Sequence, residues 1–134
     1  MMSAFIMGDR KTFLRFFDVA MTLAVPDDKY VQKITLPSLR AMESFLDGRY
    51  IEAHESAQLA LHSAEAFGVK GIFMPFESAY VLADVSLEFG EEEKSFAVID
   101  KYLPMAIEAQ QWPWVVGLLS KASLIRVQQG RVNE

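Results

Sequence analysis

Phe45-Leu46-Asp47-Gly48-Arg49-Tyr50-Ile51-Glu52-Ala53 is the stretch from which the fold is read. Gly48 stands between two runs of helical periodicity. Counting back from it, Phe45, Ala41, Pro37 and Ile34 lie three, seven, eleven and fourteen residues earlier. Counting forward, Ala57, Leu61 and Ala64 lie nine, thirteen and sixteen residues on. Steps of three and four keep apolar or small residues on one face of a helix. The glycine then marks the end of the first helix, where the chain turns and positive φ is needed.

The same arrangement recurs along the chain, as a helical repeat requires. Gly8, Gly48, Gly90 and Gly130 are 40, 42 and 40 residues apart. Three residues before them stand Phe5, Phe45, Leu87 and Val127; seven before the last three stand Ala41, Ala83 and Ser123. Eleven before come Pro37, Ala79 and Leu119, and fourteen before come Ile34, Phe76 and Val116. The forward stripe repeats as Phe17, Met21 and Ala24, then as Ile99, Leu103 and Ala106.

About twenty residues past each glycine a breaker follows: Val25-Pro26, Gly68-x-x-Gly71 and Trp112-Pro113. These marks predict one type of helix near 29–47, 73–89 and 113–129, and a second near 9–25, 50–67 and 91–110. Glu91, Glu92 and Glu93 complement the dipole at the start of the last of these. Pro37 and Pro104 fall inside the scheme and are expected to kink or interrupt their helices. Residues 1–7 read as the last turns of a helix and 131–134 as the first turn of another. The expectation is therefore a piece of a longer array, with a short protein of frayed ends as the alternative.

The turn segment, with Ala57, Ala60, Leu61 and Ala64 after it, resembles a tetratricopeptide repeat. A Leu-Gly-x-x-Tyr-like turn joins the two helices in that family, and small alanines let them approach closely. The period here is near 40 rather than 34, and the later turns Glu88-Phe89-Gly90-Glu91 and Gln128-Gln129-Gly130-Arg131 keep only the glycine. Units of this length are similar to the tetratricopeptide-like region of large LuxR-type, MalT-like transcriptional regulators. The resemblance implies an all-α, right-handed solenoid of antiparallel helix pairs. It also implies a sensing or partner-binding segment whose occupancy changes how neighbouring domains pack. A HEAT-like array and a general scaffold or chaperone-type module stay open beside it.

Composition narrows the function classes. With 134 residues the chain is one domain, and 51% hydrophobic against 23% charged residues is a globular balance. Cysteine is absent, so disulfides, cysteine-ligated zinc and thiol nucleophiles are excluded. Net charge −5 disfavours direct contact with a nucleic-acid backbone. The cluster Arg10, Lys11 and Arg15 alternates with Phe13, Phe16 and Phe17 and reads as a solvated face over core aromatics. No signal peptide or membrane-length apolar run is present, and a cytoplasmic location is the expectation.

Chemistry-bearing constellations are sparse, and the reading is non-enzymatic, with no catalytic residue, metal or cofactor expected. His54-Glu55-Ser56-Ala57-Gln58 begins like a zinc-binding helix motif, but Gln58 occupies the second histidine's place. His62, with Glu55 or Glu65, adds no complete ligand set. Gly68 and Gly71 lack the Lys-Ser/Thr of a phosphate loop, and Ser56, Ser63 and Ser120 lack a catalytic partner.

The remaining candidate is a concave groove lined by the first helix type beside its core stripe. Offsets −13, −10 and −6 place Glu77, Tyr80 and Asp84 there, flanked by Ser38, Met42, Ser120 and Leu124. Trp112 and Trp114 bracket Pro113 at a loop-to-helix junction, where an accessible ring would anchor a partner. The expected partner is a protein or small-molecule effector bearing a basic group, and pairing between copies of the chain is a further expectation.

Overall fold

A computed structural model describes residues 9–23 and 28–130, with the side chains of 20–23 left aside. The expectations for 1–8, for Val25-Pro26 and for 131–134, together with Ala24 and the Met21 side chain, lie outside the described residues. Among those described, the chain is all-helical, without strands: six α-helices packed against one another. They are α1 (Arg10–Leu23), α2 (Leu36–Leu46), α3 (Tyr50–Ala66), α4 (Phe76–Glu88), α5 (Glu92–Glu108) and α6 (Trp112–Gln128).

The turns follow from side chains at the helix ends. Asp9 accepts from the Thr12 amide at 3.1 Å, a start cap for α1 that also holds its carboxyl below the usual carboxylate range. Asp28 caps the next helical run in the same way, through the Val31 amide at 3.2 Å. At the end of α2, Gly48 takes φ 76°, its amide donates to the Phe45 carbonyl, and the Arg49 amide donates to the Ser44 carbonyl. That pair of bonds is a Schellman cap, and it recurs around Gly68, Gly90 and Gln110. Tyr50 then folds back so that its ring lies 6.0 Å from that of Phe45.

The start of α4 and the continuity of α5 differ from expectation, whereas the helix around Pro37 is interrupted as expected, each for a local reason. The run over 29–47 is not uniform α-helix: Val31–Thr35 is a π-helical turn. Pro37, in the first turn of α2, cannot donate back to Lys33, and the wider turn accommodates that missing bond. The helix expected from 73 starts at Phe76, because Pro75 forces Met74 into extended backbone and leaves only a 3₁₀ turn at Gly71–Phe73. Pro104 does not interrupt α5. It lies on an exposed face with Asp100, whose carbonyl it deprives of a donor, and both residues are open to solvent.

The core runs along the predicted stripes in the middle of the chain. Ile34, Ala41, Phe76, Ala79 and Ala83 are buried from one helix type, and Ala57, Leu61, Ala64, Ile99 and Ala106 from the other. Ala53, Ala57, Ala60 and Ala64 of α3 are fully covered, which lets α2 and α4 pack closely on it. Helix α4 touches α2, α3, α5 and α6 and is buried over nearly its whole circumference.

Helix α6 departs from the pattern. The expected core residues Val116, Leu119, Ser123 and Val127 are exposed, Val116 by 63%. Trp114, Val115, Leu118 and Ile125 face the core instead, where α4 and α5 lie.

Candidate functional site

Helices α2, α4 and α6 lie side by side, with α4 touching both of the others. Two polar clusters form between them. The first joins α2 to the start of α4. Ser38, almost fully buried on α2, donates its hydroxyl to Glu77 Oε1 at 2.6 Å. Its oxygen is 2.8 Å from that of Ser78, so the Ser78 hydroxyl donates to Ser38 in turn. The serine pair braces one carboxylate oxygen, and no cationic side chain among the described residues forms a salt bridge with Glu77. Burial pushes the Glu77 carboxyl above the usual carboxylate range, with the Ser38 bond opposing that shift.

Glu77 faces a cavity of about 360 Å³ lined also by Tyr30, Ile34, Leu39, Phe73 and Met74. Tyr30 donates to the Phe73 carbonyl at 3.0 Å and so ties the chain before the π-turn to the 3₁₀ turn. Ile72 and Phe73 at the rim are exposed, by 62% and 65%. Burial, and then the Glu77 charge, raise the Tyr30 phenol above its ordinary value.

The second cluster joins α4 to α6. Lys121 Nζ lies 3.2 Å from Asp84 Oδ2 and 5.5 Å from the centroid of the Tyr80 ring. Burial works against the Lys121 charge, but Asp84 and Tyr80 outweigh it and hold the ammonium above its usual pKa. Tyr80 packs on Trp114 at 5.8 Å and edge-on to Phe45 at 6.4 Å. Gly117 makes the approach possible, since a Cβ there would stand 3.0 Å from the tyrosine ring.

The structure thus brings Tyr80, Asp84 and Trp114 together and puts Glu77 in a separate cavity nearer the start of α4. Asp84 is buried and paired with Lys121, not an open acidic surface. Trp114 is buried, whereas Trp112 is 53% exposed at the start of α6. Ser38 and Met42 are buried; Ser120 and Leu124 are exposed.

Sequence reasoning missed Lys121, Tyr30 and Phe73. Lys121 left a signal: nine residues before the turn glycine, the earlier units carry Leu39 and Val81 and the last carries a lysine. A cation in an apolar slot demands a carboxylate nearby. Tyr30 and Phe73 flank irregular turns and left no periodic trace.

A second carboxylate shows the contrasting case. Glu65 on α3 accepts from Lys101 and, at 2.8 Å, from the Tyr102 hydroxyl. Its charge is balanced: the Lys101 bond, then that of Tyr102, holds its carboxyl below the usual range. Burial, and then Glu65, raises the Tyr102 phenol. His62 lines the shallow cavity there, while His54 packs near Phe89 at 6.3 Å. Among the described residues no three His, Asp or Glu side chains converge as a metal site, and no helix is long and apolar enough to cross a membrane.

No family model, curated protein or solved structure matches the chain.

Proposed function

We propose that the chain is a non-enzymatic binding module built as a tetratricopeptide-like array of helix pairs. Helices α2, α4 and α6 would line its binding face. The order of packing supports the array. α2 packs on α3 and α4 on α5 within pairs, α3 packs on α4 and α5 on α6 between pairs, and α2, α4 and α6 adjoin in series. The regulator setting, with a sensing role, rests on the resemblance of the turn and period alone, and a general scaffold shares the same architecture.

The observation that carries the binding reading is Glu77: a carboxylate without a salt-bridge cation among the described residues, in a mostly apolar cavity with two exposed apolar residues at its mouth. Ligand pockets combine apolar walls with a few placed polar groups in this way. A thermal-shift screen of small metabolites and short peptides tests it, because a ligand selective for the folded chain raises Tm by mass action. At least one compound is expected to raise Tm, by less in Glu77→Gln. A screen in which no compound raises Tm would contradict the binding reading, whereas stabilisers that act equally on both chains would place the site away from Glu77.

Pairing of two copies through the exposed α6 stripe, Val116, Leu119 and Val127, is the partner reading that this face favours. Sedimentation velocity should then show association that weakens in a Val116→Lys, Leu119→Lys variant. A strict monomer at high concentration would remove it.

A further inference from the structure

We propose that the cavity beside Glu77 binds a primary ammonium group carried on an apolar stem, a proposal that rests on the binding-module reading above. The carboxylate supplies the charge. One oxygen is braced by the Ser78–Ser38 hydroxyl chain, so the group is oriented before any ligand arrives. The described residues provide Glu77 no salt bridge, in contrast to Glu65 with Lys101 and Asp84 with Lys121. An entering cation would complete the pair that those carboxylates already have.

The walls select the stem. Ile34, Leu39 and Met74 are buried apolar residues, and Phe73 and Ile72 extend the apolar surface outward to solvent. Tyr30 and Phe73 line the same cavity, and aromatic ring faces attract cations. The volume of about 360 Å³ is within the range of small-ligand sites and leaves room for an alkyl chain of several carbons. An anion is disfavoured by Glu77 itself. A strongly hydrated cation without a stem would leave the apolar walls unused.

The ammonium has two sources of the same chemistry, a free alkylamine or a lysine side chain of a peptide. The test titrates the full chain with n-hexylammonium chloride, with n-hexanol as its uncharged counterpart, followed by amide chemical shifts. Hexylammonium should shift amides within 30–39 and 72–77 and bind at least about tenfold more tightly than hexanol, a difference of about 1.4 kcal/mol. A parallel arm uses the peptide acetyl-Leu-Lys-Leu-amide and its lysine-acetylated form. Preference for the unmodified peptide assigns the ammonium to lysine; binding of hexylammonium alone assigns it to a free amine.

Glu77→Gln should weaken the preferred probe at least tenfold while leaving the circular dichroism spectrum unchanged. Phe73→Ala, at an exposed rim position, should weaken it without altering the fold. Equal binding of hexanol and hexylammonium, binding of neither ammonium probe, or unchanged affinity in Glu77→Gln would overturn the assignment. In those cases a Tm-raising compound from the screen whose shifts fall around Tyr80 and Lys121 would still leave the chain a binding module.

Discussion

Gln110 holds φ 56°, a left-handed backbone that the caps around Gly48, Gly68 and Gly90 give to glycine. A side chain in that region is strained by about 1 kcal/mol or more. Gln110→Gly should therefore raise stability by about 0.5–1 kcal/mol in urea unfolding, and Gly48→Ala should lower it by about 1 kcal/mol. Gly117 is demanding for a different reason. It sits under Tyr80, which is itself confined by Phe45, Trp114 and Lys121. A larger side chain has nowhere to push that ring, so Gly117→Val should cost about 1–3 kcal/mol, with a change in the Tyr80 and Trp114 near-ultraviolet signal. The turn glycines were legible from their spacing together with the helical stripes on either side of them. Gly117 was not, because its role depends on a tyrosine brought in from another helix.

Helices α3 and α5 carry their packing faces in the sequence, because alanine, serine and other buried residues contrast with charged residues on the opposite sides. Helix α6 lacks that contrast. Trp114, Val115, Val116, Leu118, Leu119, Leu124, Ile125 and Val127 surround it, so its own pattern does not specify which face turns inward. The expected face, extrapolated from the earlier units, is exposed; contact with α4 and α5 selects another. Leu118→Ala, at a fully buried position, should cost about 2–5 kcal/mol. Val116→Lys should change stability by no more than about 0.5 kcal/mol. The reverse order in paired denaturation curves would restore the extrapolated face. The π-turn at Val31–Thr35 and the late start of α4 were hidden for a related reason: proline announces a break, but not how the neighbouring backbone resolves it.

For the whole molecule, the two contrasting carboxylates set opposite pH dependences. Glu65 is held below its ordinary value of 4.5, so the stability it contributes is present above that value and is lost as pH falls through its folded pKa. Glu77 is held above 4.5, so the folded chain retains a proton that the unfolded chain releases. Its favourable contribution is present below 4.5 and is lost as pH rises through the raised value, with Tyr30 the titratable group that faces it. Glu77→Gln should therefore gain stability relative to the natural chain as pH rises from about 4 to 8, and a bound ammonium should shrink that gain. A constant difference across that range would contradict the unbalanced charge.

Of the candidate site, Glu77, Tyr80 and Asp84 were legible as helix-face positions, and the two tryptophans as a loop-to-helix junction. Their division into a closed ion pair and an open cavity was not, because it depends on Lys121 and on the turns carrying Tyr30 and Phe73. The central claim is that this chain acts by binding at the α2–α4 side, where Glu77 is unbalanced. Amide chemical-shift mapping of the strongest stabilising compound tests it most directly. The account predicts perturbations concentrated in 30–39 and 72–84, reduced in Glu77→Gln; perturbations confined to 52–66 and 93–108, on α3 and α5, would contradict it.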